Sequence, residues 1–329
     1  MSPGAGAIDD IAGPLGAFLG GTVTGLERLS GGASRETFSF ELITEPTPDD
    51  RGPRQLILQR VRSGPVAGGS SMEAEAELLR AAARAGVPVA PVVGASDDAS
   101  IVGSPFIVVE RLAGETIARR ILRDEQYGVA RGRLIQQSAQ ALASVHRIDP
   151  TDAPGLDRQD QLGSLADLYQ MLEPTMGAHP AFALGFRTLE LTRPPTRMDA
   201  VVHGDYRLGN LLVDGDGLVA ALDWELAHLG DPLEDLAWFS IRAWSFGGGG
   251  EVGGIGTLDD LVRAYEQASG RTLDRDALRW WRAVETLRWG IICMLQAHTH
   301  LSGASRSVEL ATIGRRVCET EYDLLRLLP

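Results

Sequence analysis

The sequence predicts an α+β chain built as two lobes, a small β-rich one followed by a larger, mostly helical one. Three observations carry this. The first third of the chain sets short apolar runs between Gly-, Pro- and Ser-rich breaks, in the order β-β-β-α-β-β. Beyond Leu112-Ala113-Gly114, apolar residues recur at helical spacing, interrupted by one short hairpin pattern. The length, 329 residues, exceeds what one small core organises. Residues 1–20 read as a flexible N-terminus, 21–112 as the first lobe and 113–329 as the second. A cleft between two such lobes is a preferred place for a small-molecule site.

Taken in order, the first dozen residues are rich in Gly, Ala and Pro and are expected to be loose. Strands are expected over 21–29 and 35–43, joined by Ser30-Gly31-Gly32-Ala33-Ser34. A polar, Pro-containing loop over 44–54 precedes a third strand at Leu56–Val61. Residues 62–71 are Gly/Ser/Pro-rich. Met72 to Ala85 has helix composition and is stopped by Gly86 and Pro88. Two strands follow near 90–95 and 104–110. Helices are expected over 130–147, 163–175, 181–191, 232–244, 258–268, 274–299 and 305–327. Asp231-Pro232-Leu233-Glu234 fits an N-cap, a Pro at the first helical position and a capping acid. Residues 246–257 are Gly-rich and read as a surface loop.

The formal net charge of −13 argues against broad contact with nucleic acid phosphates. No apolar run reaches the length of a membrane span, and Asp9 and Asp10 stand where a signal peptide needs an apolar core. Cys293 and Cys318 lack metal-type spacing and read as buried apolar thiols, in keeping with a reducing cytoplasm. His298 and His300, two apart on a helix, point to different sides and do not make a metal pair. The Trp280, Trp281 and Trp289 side chains read chiefly as helix packing. The chain contains no lysine, which excludes any mechanism that needs one.

Residues 203–210 read His-Gly-Asp-Tyr-Arg-Leu-Gly-Asn, and Asp223 follows thirteen residues later. Between them, two apolar runs flank Asp214-Gly215-Asp216-Gly217, a hairpin signal. With Val213 opposite Leu218, Asn210 falls opposite Ala221, and Asp223 lies within about two residues of Asn210 across the ladder. An amide oxygen and a carboxylate then converge at one end of the hairpin, with Asp205 one tight loop upstream. Hard oxygen ligands that leave room for water and phosphate suit Mg²⁺. A separate carboxylate beside them can accept a proton from a hydroxyl nucleophile. His203 reads as a structural, hydrogen-bonded histidine, and Asp214 and Asp216 as turn residues. The Gly31-Gly32 pair can bring backbone N–H groups close to phosphate oxygens, or can simply make a hairpin turn. Glu75 borders the Leu78/Leu79/Ala82 face of its helix. It is either a solvated acid or the partner of a cation from Leu56–Val61, where Arg60 and the neighbouring Arg62 are available.

HGDYRLGN followed by LDWE, together with ERLSGGASRETFSFEL, IVVERLAGET and GDPLEDLAW in this order and spacing, resembles the aminoglycoside phosphotransferase/choline kinase-like family over about residues 25–325. That family is a branch of the protein-kinase-like fold. Within it, the chain is similar to the branch found as stand-alone bacterial phosphotransferases and fused to some acyl-CoA dehydrogenases. The resemblance implies ATP and Mg²⁺ as cofactors, a hydroxyl of a small molecule as acceptor, and a nucleotide-binding first lobe. By position, Asp205 matches the catalytic carboxylate, and Asn210 and Asp223 match the Mg²⁺ ligands. Gly31, Gly32, Ala33 and Ser34 match the loop over the phosphates, and Glu75 the helix glutamate that orients a phosphate-binding cation. Glu110 (by its C=O) and Leu112 (by its N–H) match the adenine-edge contacts. His203, Asp231 and Asp235 match residues that brace the catalytic loop.

The chain departs from the family at the phosphate-binding lysine, which would fall at or next to Gln59-Arg60. Arg60 can serve phosphate, but strand alternation puts Gln59 and Arg60 on opposite faces. Either a bulge turns Arg60 inward, or Gln59 faces the nucleotide and the charge comes from elsewhere. The missing lysine keeps a second reading open, a nucleotide-binding pseudokinase with a regulatory role. A metal-dependent phosphoesterase would need a second metal cluster, which the sequence does not show. Residues Trp281, Glu285, Arg288 and His298 are expected near the acceptor.

Overall fold

Alternation along the first strands sorts their side chains onto two faces, and each face finds a different cover. The computed structural model describes residues 5–29, 35–45, 52–62, 71–195 and 199–329. Gly31, Gly32, Ala33 and Ser34 lie outside the described residues. The first part of the chain runs α1 (Ala5–Leu19), β1 (Thr22–Arg28), β2 (Arg35–Ile43), β3 (Arg54–Val61), α2 (Met72–Arg84), β4 (Val92–Ser96), α3 (Ala99–Val102) and β5 (Phe106–Glu110). The five strands form one antiparallel sheet in the order β1-β2-β3-β5-β4. Phe38, Phe40, Leu42, Leu56, Leu58, Phe106 and Val108 share one face, where Ile11 and Leu15 of α1 and Val102 of α3 cover them. Ile107 and α2 lie on the other face and join the core of the helical half.

The expected flexible N-terminus is therefore corrected. Residues 5–19 are helical and Leu15 is fully buried. Gly and Ala dilute the apolar pattern of this stretch, but Ile11, Leu15 and Phe18 recur at helical spacing and supply one apolar stripe. Phe18 packs edge-on against Phe106 at 5.1 Å between ring centroids.

The second part runs α4 (Ala118–Arg123), α5 (Gly128–Val145), α6 (Gln161–Met176), α7 (Pro180–Leu191), β6 (Ala200–Val202), β7 (Leu211–Val213), β8 (Leu218–Ala221), β9 (His228–Gly230), α8 (Leu233–Ser240), α9 (Leu258–Ser269), α10 (Arg275–Leu301), α11 (Val308–Gly314) and α12 (Val317–Leu327). The β7–β8 hairpin is as expected, but a second small sheet, β6–β9, accompanies it. These three-residue strands are too short to carry a readable period. The helix expected over 232–244 stops at Ser240, because Ile241 is extended (ψ 147°), and resumes as a short 3₁₀ turn. The span 305–327 divides into α11 and α12. Cys293 is buried as expected; Cys318 is exposed on α12. Trp280 packs in the cluster of α6, α7, α10 and α12 and donates its indole N–H to Leu189 C=O at 3.0 Å. Among the described residues no helix is long and apolar enough to cross a membrane.

Two features fix the connector and α8 in place. Residues 115 and 213 exchange backbone hydrogen bonds (2.8 and 3.0 Å), clipping the connector after β5 onto the hairpin. The predicted capping box at α8 forms: Asp231 Oδ1 accepts Leu233 N–H and Glu234 Oε1 accepts Asp231 N–H. If α1 belongs to the first lobe's core, Leu15→Ala should destabilise the protein by about 2–4 kcal/mol. Urea denaturation checks this; a loss below about 0.5 kcal/mol, the level of an ordinary surface change, would place α1 outside the cooperative core.

Candidate active site

The loop between β6 and β7 is shaped from behind by one buried carboxylate. Asp235, on α8, accepts the backbone N–H groups of His203 (2.8 Å) and Gly204 (2.9 Å) and a bond from His146 Nε2 (3.1 Å). Burial opposes its ionisation, but the His146 hydrogen bond and the nearby imidazoles hold its pKa below the usual carboxylate value. Gly204 adopts φ +80°, and a Cβ there would lie 2.3 Å from Leu226 C=O, so only glycine fits. His203 is fully buried, and burial pushes its pKa down despite Asp235 and Asp205. Its neutral ring fits one tautomer: Nε2–H donates to Leu222 C=O (3.1 Å), and Nδ1 accepts Asp205 N–H (3.2 Å). His203 thus braces the loop.

The Asp205 side chain is held by three donors. Trp238 Nε1 donates to Oδ1 at 2.7 Å, Asn210 Nδ2 to Oδ2 at 2.6 Å, and Arg207 Nε to Oδ1 at 3.0 Å. Trp238 is fixed in turn by Arg288, whose guanidinium carbon lies 4.3 Å from its ring centroid. Arg288 also donates to Gly204 C=O (2.9 Å) and pairs with Glu285 (3.0 Å). Glu285 is fully buried, which drives its pKa up to about 7 against the pull of Arg288. Of the residues expected near the acceptor, Glu285 and Arg288 are buried supports of the loop that carries Asp205, and His298 contacts Thr175 at 3.1 Å. Trp238 carries no sequence signal beyond its place in GDPLEDLAW.

The hairpin brings Asn210 and Asp223 together more closely than expected. Val213 does pair with Leu218, but the register then slips at Val219, so Leu211 faces Ala221. Asn210 C=O accepts Leu222 N–H at 2.8 Å, which puts Asp223 one residue beyond Asn210's opposite neighbour. Asp223 takes a left-handed conformation (φ 65°), uncommon for a residue with a Cβ. Its pKa rises to about 6, through burial first and then the charges of Glu225 and Asp205. Asn210 spends its amide N–H groups on Asp205, leaving its oxygen as the remaining acceptor. An amide oxygen and a carboxylate, with crowded negative charge around them, fit a hard divalent cation that keeps water and phosphate in its shell. Among the described residues no group of three or more His, Cys, Asp or Glu side chains is placed to hold a metal ion.

On the first-lobe side, Glu75 is buried on α2, but its partner is neither Arg60 nor Arg62. Arg35 of β2 makes a two-pronged pair with it, Nη1–Oε1 2.7 Å and Nη2–Oε2 2.5 Å. The β2–β3 ladder is regular through Thr37↔Gln59 and Glu36↔Arg60, with no bulge to turn Arg60 inward. Arg60 bonds Glu36 (2.7 Å) and Val102 C=O (2.8 Å) and lies over Phe38, on the α1/α3 face. The Arg60 expectation is thus corrected: Gln59, not Arg60, shares the sheet face of Arg35 and Glu75. At the connector, Glu110 N–H donates to Pro91 C=O (2.9 Å). Pro91 has no N–H to return, so the Glu110 carbonyl is left out of that ladder exchange. Leu112 N–H has no partner among the described residues.

A family model described as the phosphotransferase enzyme family matches residues 25–281. The chain belongs to that family. Among relatives of this phosphotransferase-family chain is the mouse acyl-CoA dehydrogenase family member 10, 31% identical over 195 residues that cover 56% of this chain. The chicken acyl-CoA dehydrogenase family member 11 is 26% identical over 65% of it. The matches span only 18% and 27% of those relatives' own lengths. Two solved structures share the fold. A putative aminoglycoside phosphotransferase from Ralstonia eutropha has TM-score 0.76 at 22% identity, with 96% and 97% of the two chains covered. A choline/ethanolamine kinase family protein from Mesorhizobium loti has TM-score 0.66 at 20% identity, with 98% and 97% covered. Spectinomycin phosphotransferase, solved with ADP and spectinomycin, also superposes, at TM-score 0.65 and 12% identity over 99% of each chain.

Asp223 makes the stability of the fold depend on pH. Its folded pKa of about 6 lies above the ordinary 3.8. Its contribution to stability is therefore complete below about pH 4 and is lost as pH rises through about 6. In metal-free protein, Asp223→Asn should be more stable than wild type at pH 7.5 by on the order of 1–3 kcal/mol, and the gap should close toward pH 4. Paired denaturation curves across that range check this; a gap that is constant with pH would contradict it.

Proposed function

We propose that this chain transfers the γ-phosphoryl group of ATP to a hydroxyl of a small molecule. The observation that carries this reading is the meeting of Asp205, Asn210 and Asp223 at the mouth of one loop and hairpin. Asp205 is oriented by Trp238, Arg207 and Asn210 and is the carboxylate that would align the acceptor hydroxyl and take its proton. Asn210 and Asp223 would hold Mg²⁺, which when bound offsets charge on the nucleotide phosphates. The Glu110 carbonyl and Leu112 N–H suit the adenine edge, and Gly31 to Ser34 remain the proposed cover for the phosphates. The family, together with a solved spectinomycin phosphotransferase that holds ADP and its acceptor, supports the same assignment. The chain shares folds with aminoglycoside and choline/ethanolamine kinase proteins. It shares sequence with acyl-CoA dehydrogenase family members. Acceptors to be tested are therefore aminoglycosides, amino alcohols, sugars and hydroxylated acyl compounds.

Gln59 on the cleft face favours a second reading, a nucleotide-binding pseudokinase with a regulatory role. ATP turnover discriminates the two. An ATP-consumption screen over these acceptors should find one that wild type turns over and that Asp205→Asn turns over about 10²–10⁴-fold more slowly, with nucleotide binding retained. Equal rates for the two proteins would refute the role of Asp205. Absence of turnover with every acceptor would favour the pseudokinase. By calorimetry, Asp223→Ala should lose the Mg²⁺-dependent part of ATP binding; unchanged Mg·ATP affinity would remove Asp223 from the cation site.

A further inference from the structure

The β2–β3 layer carries two arginines that compete for one role, and the structure separates them by face. We infer that Arg35, supplied by β2, is the phosphate-binding cation of this chain, and that it replaces a basic residue on β3 where Gln59 now stands. The inference rests on the phosphotransferase reading above and deepens it.

Four observations support it. Arg35 is only 8% exposed, and it pairs through both Nη atoms with the buried Glu75 of α2. A buried ion pair is a poor source of net stability, so its presence on the cleft side of the sheet asks for a functional reason. Second, Gln59 Oε1 accepts from Arg35 Nη1 at 3.4 Å. The β3 residue thus contributes an acceptor that orients the guanidinium, where a second cation would repel it. Third, Arg35 Nε lies 3.4 Å from Glu225, two residues beyond Asp223. The guanidinium therefore bridges the helix carboxylate on one side and the carboxylates around the proposed cation site on the other. Fourth, Arg60 is committed to Glu36 and Val102 on the opposite face.

The guanidinium keeps donor capacity for a ligand. It has five N–H groups. Glu75 takes one from each Nη and Gln59 the second on Nη1, while Glu225 lies 3.4 Å from Nε as an ion pair. The second Nη2 proton has no partner among the described residues. A phosphate oxygen could take that donor and compete with Glu225 for the Nε side, in the planar geometry that arginine offers phosphate.

The test is calorimetric titration of full-length wild type and variants with Mg·ATP and, separately, with adenosine. Arg35→Gln should weaken Mg·ATP about ten- to a hundredfold, the range of a lost charge-assisted hydrogen bond, and leave adenosine affinity unchanged. Adding Gln59→Lys to Arg35→Gln should recover most of the loss, because the cation returns to the β3 position on the same face. Arg60→Gln should leave both affinities unchanged. Arg35→Gln leaves Glu75 buried without a counter-charge, so Arg35→Gln/Glu75→Gln is read in the same way should the single variant unfold. Unchanged Mg·ATP affinity in the Arg35 variants, an equal loss for adenosine, or a tenfold loss in Arg60→Gln would each overturn the assignment. A wild type that binds no Mg·ATP would instead refute the phosphotransferase reading itself, a result distinct from normal wild-type binding with silent Arg35 variants.

Discussion

The loop that presents Asp205 is anchored by Asp235. Its two oxygens hold consecutive N–H groups of the loop that presents Asp205, and His146 secures the carboxylate from the far side. The arrangement is costly to build, since a charge at full burial is stable only when its hydrogen bonds are complete. It is correspondingly rigid. The loop is further pinned at Gly204 C=O by Arg288, so α8 and α10 both fix the backbone around Asp205. Rigid elements that set the reacting groups in place ahead of binding are what phosphoryl transfer requires, because positioning and electrostatics do most of the work.

Against that frame, Asp223 stands beside two like charges, those of Glu225 and Asp205. Asp223 combines a left-handed backbone with a pKa raised by burial and by its acidic neighbours. Neither feature serves folding, and both are features that active sites retain at a cost in stability. On the opposite wall, Arg35 and Glu75 offset one another. Arg35 also reaches Glu225 at 3.4 Å, so one guanidinium links both sets of carboxylates beside the region where the nucleotide phosphates are proposed to lie.

Much of this is legible in the sequence because its signals are local. The Asp/Gly turn between two apolar runs sets the hairpin, and the Asp231–Glu234 spacing sets the cap of α8. The HGDYRLGN string places Asp205 and Asn210 on one short loop. What escapes depends on register between distant strands or on weak composition. The Val219 slip changes Asn210's opposite neighbour from Ala221 to Leu222, and no propensity marks a single extra residue in a four-residue strand. Arg35 escapes because nothing along β3, where a cation is expected, points to β2. Only the Thr37↔Gln59 pairing shows that Arg35 and Gln59 share a face. Helix α1 escapes because Gly and Ala mask an apolar stripe of Ile11, Leu15 and Phe18.

The most direct test of the central claim is a crystal structure of the protein with Mg²⁺ and a non-hydrolysable ATP analogue. The account predicts a cation about 2.1 Å from both Asn210 Oδ1 and an Asp223 carboxylate oxygen, with the terminal phosphate facing Asp205. A nucleotide bound elsewhere, or a cation in the cleft that touches neither residue, would contradict it.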